Sequence, residues 1–178
     1  MAIEQKTLVY IFGQPCTGKS TLVDKIIASQ DGIYCVDFDV VKRQLSGYYW
    51  KRDKDFARQL TQEFLDLVVK SEKPVIALLP TPVTKEEHDY YFDSARAAGY
   101  RIINVMLVLD RDEHIERYKV RLESIRQHNP NFKVKTLDEF MTVLDQEVYI
   151  PHDAMVLDSG KFDADTLYVE FSKKLEQA

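Results

Sequence analysis

Eight consecutive residues carry the clearest chemistry: Gly13-Gln14-Pro15-Cys16-Thr17-Gly18-Lys19-Ser20 fit G-x-x-x-x-G-K-[ST]. Such a run cradles phosphate. Gly13 and Gly18 let the backbone curl until successive N–H groups converge on an anion. Lys19 supplies a point charge for terminal phosphates, and the Ser20 hydroxyl can ligate Mg²⁺. With Thr21, which opens the following element, residues 13–21 form a candidate nucleotide site for ATP.

Three further groups bear on what happens to the γ-phosphate. Asp37-Phe38-Asp39 closes an apolar run, where a carboxylate can orient an alcohol and take its proton while a second one holds Mg²⁺. Either aspartate could instead cap the next helix. Arg111, Arg117, Arg121 and Arg126 punctuate one helical stretch, and Arg117 and Arg121, four apart, share a face. Such a face can close over phosphates as a lid, spanning about residues 111–135, or pair with Glu113, Glu116 and Glu123 in solvent. Asp158-Ser159-Gly160 follows the last apolar run, so Ser159 and Gly160 are candidate base contacts or an ordinary turn. Tyr48, Tyr49 and Trp50 could stack on an acceptor ring or belong to the core.

Alternating strand and helix signals position these groups. Apolar runs read as strands at 8–12, 33–38, 75–79, 102–109 and 154–157. Helical spacing covers 21–29, 40–45, 54–70, 84–98, 110–127, 136–148 and 165–175, with Phe56, Leu60, Phe64, Leu67 and Val68 as the apolar face of the third. Thr84 with Glu87, and Thr136 with Glu139, read as capping boxes. The pattern implies one α/β domain over residues 1–178: a parallel sheet with helices on both faces and ligands at the carboxyl ends of its strands.

These residues resemble the P-loop kinases, most closely the polynucleotide-kinase and zeta-toxin-like branch. Asp39 and Lys42 keep that branch's spacing of a general base and a basic residue on substrate phosphate. Arg117-Tyr118-Lys119-Val120-Arg121 matches its R-N-x-x-R lid. The resemblance implies a five-stranded parallel sheet of order 2-3-1-4-5. Its catalytic set would be Lys19, Asp39, Arg117 and Arg121, with Asp39, Lys42 and Trp50 toward the acceptor. One departure stands out: relatives end strand 3 with an aspartate, whereas Leu79-Pro80-Thr81-Pro82 has none. Either Asp37 joins Ser20 at Mg²⁺ in its place, or the site binds ATP and transfers poorly.

Composition narrows the field. A net charge of -5 gives no general basic surface, which disfavours duplex nucleic acid and points to a small molecule or a nucleic-acid 5′ end. Cys16 and Cys35 have neither metal-ligand nor disulfide spacing. No apolar run is long enough to span a bilayer, and a cytoplasmic location is expected. The expected activity is ATP-dependent transfer to a hydroxyl. The competing reading is a nucleotide-binding regulator or ATPase without an acceptor. A GTPase-like switch would carry N-K-x-D, and a motor or AAA-type ATPase would end strand 3 in acidic residues; neither feature is present.

Overall fold

The computed structural model describes residues 2–128 and 136–177, apart from the side chains of Trp50, Arg126 and His128. Five parallel strands form one sheet: β1 (Thr7–Phe12), β2 (Tyr34–Asp37), β3 (Val75–Leu78), β4 (Arg101–Val108) and β5 (Met155–Asp158). Their order, β2-β3-β1-β4-β5, is the one the resemblance implied. Among the described residues seven α-helices connect and cover them: α1 (Lys19–Ser29), α2 (Phe38–Gln44), α3 (Trp50–Val68), α4 (Lys85–Ala97), α5 (Arg111–His128), α6 (Leu137–Leu144) and α7 (Ala164–Gln177).

The central strand β1 is buried along its whole length, because side chains alternating across it meet a helical layer on each face. Val9 and Ile11 join Leu22 and Ile26 of α1 and Leu167 and Phe171 of α7. Leu8, Tyr10 and Phe12 join Leu65 of α3 and Phe92 and Ala95 of α4. A third, smaller cluster lies over the phosphate loop. There Tyr118 of α5 stacks on Phe140 of α6 at 3.8 Å, and Cys16 packs against them.

Several elements differ instructively from their sequence signals. Strand β2 stops at Asp37, and α2 begins at Phe38, because the Asp37 carboxylate accepts hydrogen bonds from the backbone N–H groups of Asp39 (2.7 Å) and Val40 (3.4 Å). Asp39 therefore sits in the first turn of a helix, not at a strand end. The expected apolar face of α3 is only partly turned inward: Phe56 and Leu67 are 59% and 62% exposed and Phe64 is exposed as well, whereas Leu60 is half-buried and Val68 packs against the core. Its most buried row is Ala57, Thr61 and Leu65, continued by Val69 just past its end. Polar residues on that inner side are satisfied, as where Gln62 donates to the carbonyl of Tyr91. The capping box at Thr136 is complete, whereas at Thr84 only half forms: Glu87 accepts from Val83 N–H, one residue further back. Helix α6 ends at Leu144, four residues early. Asp145 then pairs with Arg111, and Tyr149 N–H reaches the carbonyl of Pro82.

The turn from β1 into the loop tolerates no side chain. Gly13 has φ +135°, and a Cβ there would lie 2.3 Å from the carbonyl oxygen of Leu107 in β4. Gly13→Ala is expected to cost about 2–3 kcal/mol through overpacking and backbone strain. A chemical-denaturation midpoint unchanged from wild type would contradict that close approach.

Candidate active site

The site is built from the carboxyl ends of β1, β2 and β3 and from α5, which crosses above the phosphate loop. Gly18 (φ +87°) and, unusually, Cys16 (φ +67°) take left-handed backbone conformations that curl the loop. Helix α1 starts without a side-chain cap and without an acidic residue in its first turn. Its N–H groups and dipole are thus left for an anion. The Thr17 hydroxyl is buried and donates to the carbonyl of Gln14, bracing the curl (3.0 Å). Ser20 and Thr21 are exposed in the first turn of α1.

Lys19 folds back over the loop, its Nζ donating to the carbonyls of Gly13 and Gln14, each at 2.9 Å. Burial lowers its pKa to about 8, opposed in part by the negative charge of Asp39 and deepened by Arg121. Asp39 is about half exposed and forms a short ion pair with Lys42, whose Nζ also lies 4.7 Å from the centre of the Phe38 ring. Burial acts to raise the Asp39 pKa. Lys42, by charge and hydrogen bond, together with Arg121 and Lys19, outweighs it and holds the carboxyl below its ordinary range. Lys19, Asp39 and Arg121 thus lie within electrostatic reach of one another, from three separate elements.

The two arginines of α5 divide. Arg121 turns to the loop, its guanidinium 3.8 Å from Cys16 Sγ. Arg117 donates to Glu113 at 2.6 Å and to the carbonyl of Ser159 at 3.0 Å, so its present partners are those of a brace. Arg121→Ala is therefore expected to lower turnover ~10²–10³-fold with an unchanged melting temperature. Arg117→Ala should cost about 1 kcal/mol or less, since its ion pair is partly exposed. Equal kinetics for wild type and Arg121→Ala would remove α5 from the chemistry. Residues 129–135 of the expected lid lie outside the described residues, and the side chains of Arg126, His128 and Trp50 outside the described side chains.

Ser159 is buried, and both its N–H and its hydroxyl donate to the carbonyl of Val108. Gly160 lies against α5, where a Cβ would meet Glu113 Oε2 at 2.7 Å. Arg117 ties this loop to α5, so any base contact there would come from backbone.

Two residues that reading the sequence passes over complete the site. The Thr81 hydroxyl, just past β3, donates to the carbonyl of Gly13 (3.1 Å) and accepts weakly from its N–H (3.4 Å). It braces the phosphate loop from the segment after β3, with a neutral hydroxyl in place of an acid. Buried His114 donates from Nε2 to the carbonyl of Pro15 at 2.6 Å. Burial, with Lys19 and Arg117 adding to it, lowers its pKa and favours the neutral ring. Its position seven before Arg121, two helical turns, is the signal that could have found it.

The residues fit Mg²⁺ in the manner of phosphate-bridged sites. Asp37 caps through one oxygen only, Ser20 is accessible, and the described residues hold no cluster of three ligating side chains. Mg²⁺ bound this way relies on substrate phosphates and water for most of its shell.

A parallel sheet of this order, with a phosphate loop leaving its central strand, defines a P-loop protein of kinase fold. Residues 8–146 match the model of a family described as AAA domain, and the chain belongs to that P-loop kinase-like family. No curated protein sequence matches it. The chain is similar in structure to a gluconokinase from Sinorhizobium meliloti (TM-score 0.63, 16% identity, 98% of this chain and 94% of that one). It is also similar to the Mycobacterium tuberculosis APS kinase CysC, determined in complex with AMPPNP and APS (0.62, 16%, 98% and 99%). A third similar structure comes from the PezAT chromosomal toxin–antitoxin system of Streptococcus pneumoniae (0.62, 13%, 89% and 70%). Among the described residues no helix is long and apolar enough to cross a membrane.

Proposed function

We propose that the chain is an ATP-dependent kinase that transfers the γ-phosphate to a hydroxyl group. The observation that carries this reading is Asp39: a carboxylate kept ionised by Lys42, within electrostatic reach of Lys19 and Arg121, at the sheet edge where a phosphate loop presents its cargo. The APS kinase neighbour, bound to the ATP analogue AMPPNP, supports the choice of nucleotide.

In this mechanism the N–H groups of the loop, Pro15 having none, and of the start of α1 bind the β- and γ-phosphates, and Lys19 leaves its carbonyl partners to join them. Ser20 and Asp37 would hold Mg²⁺ from the protein side, and the ion would supply charge neutralisation for the phosphates when bound. Asp39 orients the acceptor hydroxyl and takes its proton as the bond to phosphorus forms. Arg121 stabilises charge on the transferring group, and α5 with α6 shields it from water. Asp37→Asn keeps the cap, since Asn caps about as well as Asp, and should raise the Mg²⁺ requirement.

The test is incubation with γ-labelled ATP and 5′-hydroxyl oligonucleotides, nucleosides, amino-sugar antibiotics or UDP-sugars, beside a no-acceptor control. Label in an acceptor supports a kinase. Label only in orthophosphate, at a rate no acceptor changes, supports the alternative of an ATPase or nucleotide-dependent regulator.

A further inference from the structure

Helix α5 reaches the phosphate loop through one row of side chains, His114, Tyr118 and Arg121, spaced at i, i+4 and i+7. All three converge on Pro15-Cys16. The contact made by His114 is to main chain. Its ring is buried, and Nε2 lies 2.6 Å from the Pro15 carbonyl oxygen. A carbonyl only accepts, so Nε2 carries the proton. In a trans peptide such as this one, the C=O and the following N–H point opposite ways. Holding the Pro15 carbonyl against α5 therefore turns the Cys16 N–H away from α5. The two preceding carbonyls, of Gly13 and Gln14, are held by Lys19 Nζ instead. The chain thus changes carbonyl partner between Gln14 and Pro15. Cys16, directly after that change, takes φ +67°, a conformation that a residue with a Cβ rarely adopts. Its side chain packs against the Tyr118–Phe140 stack, with Sγ 3.8 Å from Arg121.

We propose that His114 is a positioning residue of the phosphate site: through the Pro15 carbonyl it fixes the peptide to Cys16, so that the Cys16 N–H joins the anion-binding hollow. This rests on the phosphate-loop part of the reading above and needs no acceptor. The ligand class is a nucleoside di- or triphosphate, or pyrophosphate, whose oxygens take the N–H turned toward them. Without the imidazole, rotation about ψ of Pro15 and φ of Cys16 lets Cys16 leave the left-handed region and withdraws one donor from the hollow. His114 blocks that rotation from a helix that itself covers the loop, so the cover and the hollow are built together.

The experiment titrates pyrophosphate·Mg²⁺ and AMPPNP·Mg²⁺ calorimetrically into wild type and two variants. His114→Phe keeps a ring against Phe140 and loses the donor. His114→Gln carries an amide nitrogen as many bonds from Cβ as Nε2 is. His114→Phe should weaken both ligands about 10- to 100-fold, the worth of a hydrogen bond to a charged group. His114→Gln should recover most of that loss. Equal affinity in wild type and His114→Phe, or a loss in His114→Gln as large as in His114→Phe, would overturn the positioning role and leave the phosphate loop standing. Binding of neither ligand by wild type would overturn both. A second measurement needs no variant to fold. In ¹⁵N-labelled wild type the Cys16 amide proton should move downfield when pyrophosphate·Mg²⁺ is added, and the His114 ring should carry its proton on Nε2. A Cys16 amide that does not move, or a ring protonated only on Nδ1, would overturn the proposal whatever the variants do.

Discussion

Asp39→Asn is expected to retain ATP·Mg²⁺ binding and to lose roughly 10²–10⁴ in phosphoryl transfer, because an amide cannot take the acceptor's proton. The structure sharpens this expectation by separating Asp39 from its neighbour. Asp37 is the residue that caps α2, so the exchange at Asp39 disturbs no cap. It weakens a half-exposed ion pair with Lys42, worth about 1 kcal/mol or less, and the longer-range attraction to Lys19 and Arg121. The Asp39 pKa is depressed, so its stabilising contribution is present above the usual aspartate range and is lost as pH falls through the lowered value. The base therefore stays ionised through neutrality, and the transfer rate should have no limb between pH 5 and 7 assignable to Asp39. Single-turnover rates across that range check both points. Wild-type transfer by Asp39→Asn would eliminate it as base.

Lys19→Ala is expected to weaken ATP binding about 10- to 100-fold and to lower transfer further, since its charge is worth most as charge builds on the γ-phosphate. Burial gives this lysine an unusual signature. Its pKa is about 8 in the folded chain and 10.5 ordinarily, so between those values the unfolded chain binds more protons. Its contribution to stability therefore rises with pH across that window. Bound phosphates favour the charged amine, so nucleotide binding above pH 8 should take up a proton. Calorimetry in buffers of different ionisation enthalpy measures that uptake. Lys19→Ala should show none of it, and equal uptake by both proteins would assign the proton elsewhere.

Much of this arrangement was legible in the sequence because it depends on local pattern. The loop motif, the unbroken apolar runs and the Thr136–Glu139 box each name their own geometry within a few residues. What was not legible depends on tertiary choice. Helix α3 offers two apolar rows, and Phe56, Phe64 and Leu67 of the larger one are left outside, while on the inner side Glu87 and the Tyr91 carbonyl receive Arg58 and Gln62. Thr81 and His114 reach Gly13 and Pro15 across long sequence separations, and a hydroxyl or imidazole has no signature until the sheet brings it to the loop. The division of labour between Arg117 and Arg121 likewise follows from where Ser159 and Cys16 lie, since spacing alone places both on one face.

The most direct measurement follows γ-labelled ATP in wild type and Asp39→Asn side by side, against the acceptor panel and without acceptor. Wild type should place the label in an acceptor hydroxyl, and Asp39→Asn, while still binding ATP·Mg²⁺, should lose that product roughly 10²–10⁴-fold. Label released only as orthophosphate, at the same rate in both proteins and with every acceptor, would contradict a kinase built on Asp39.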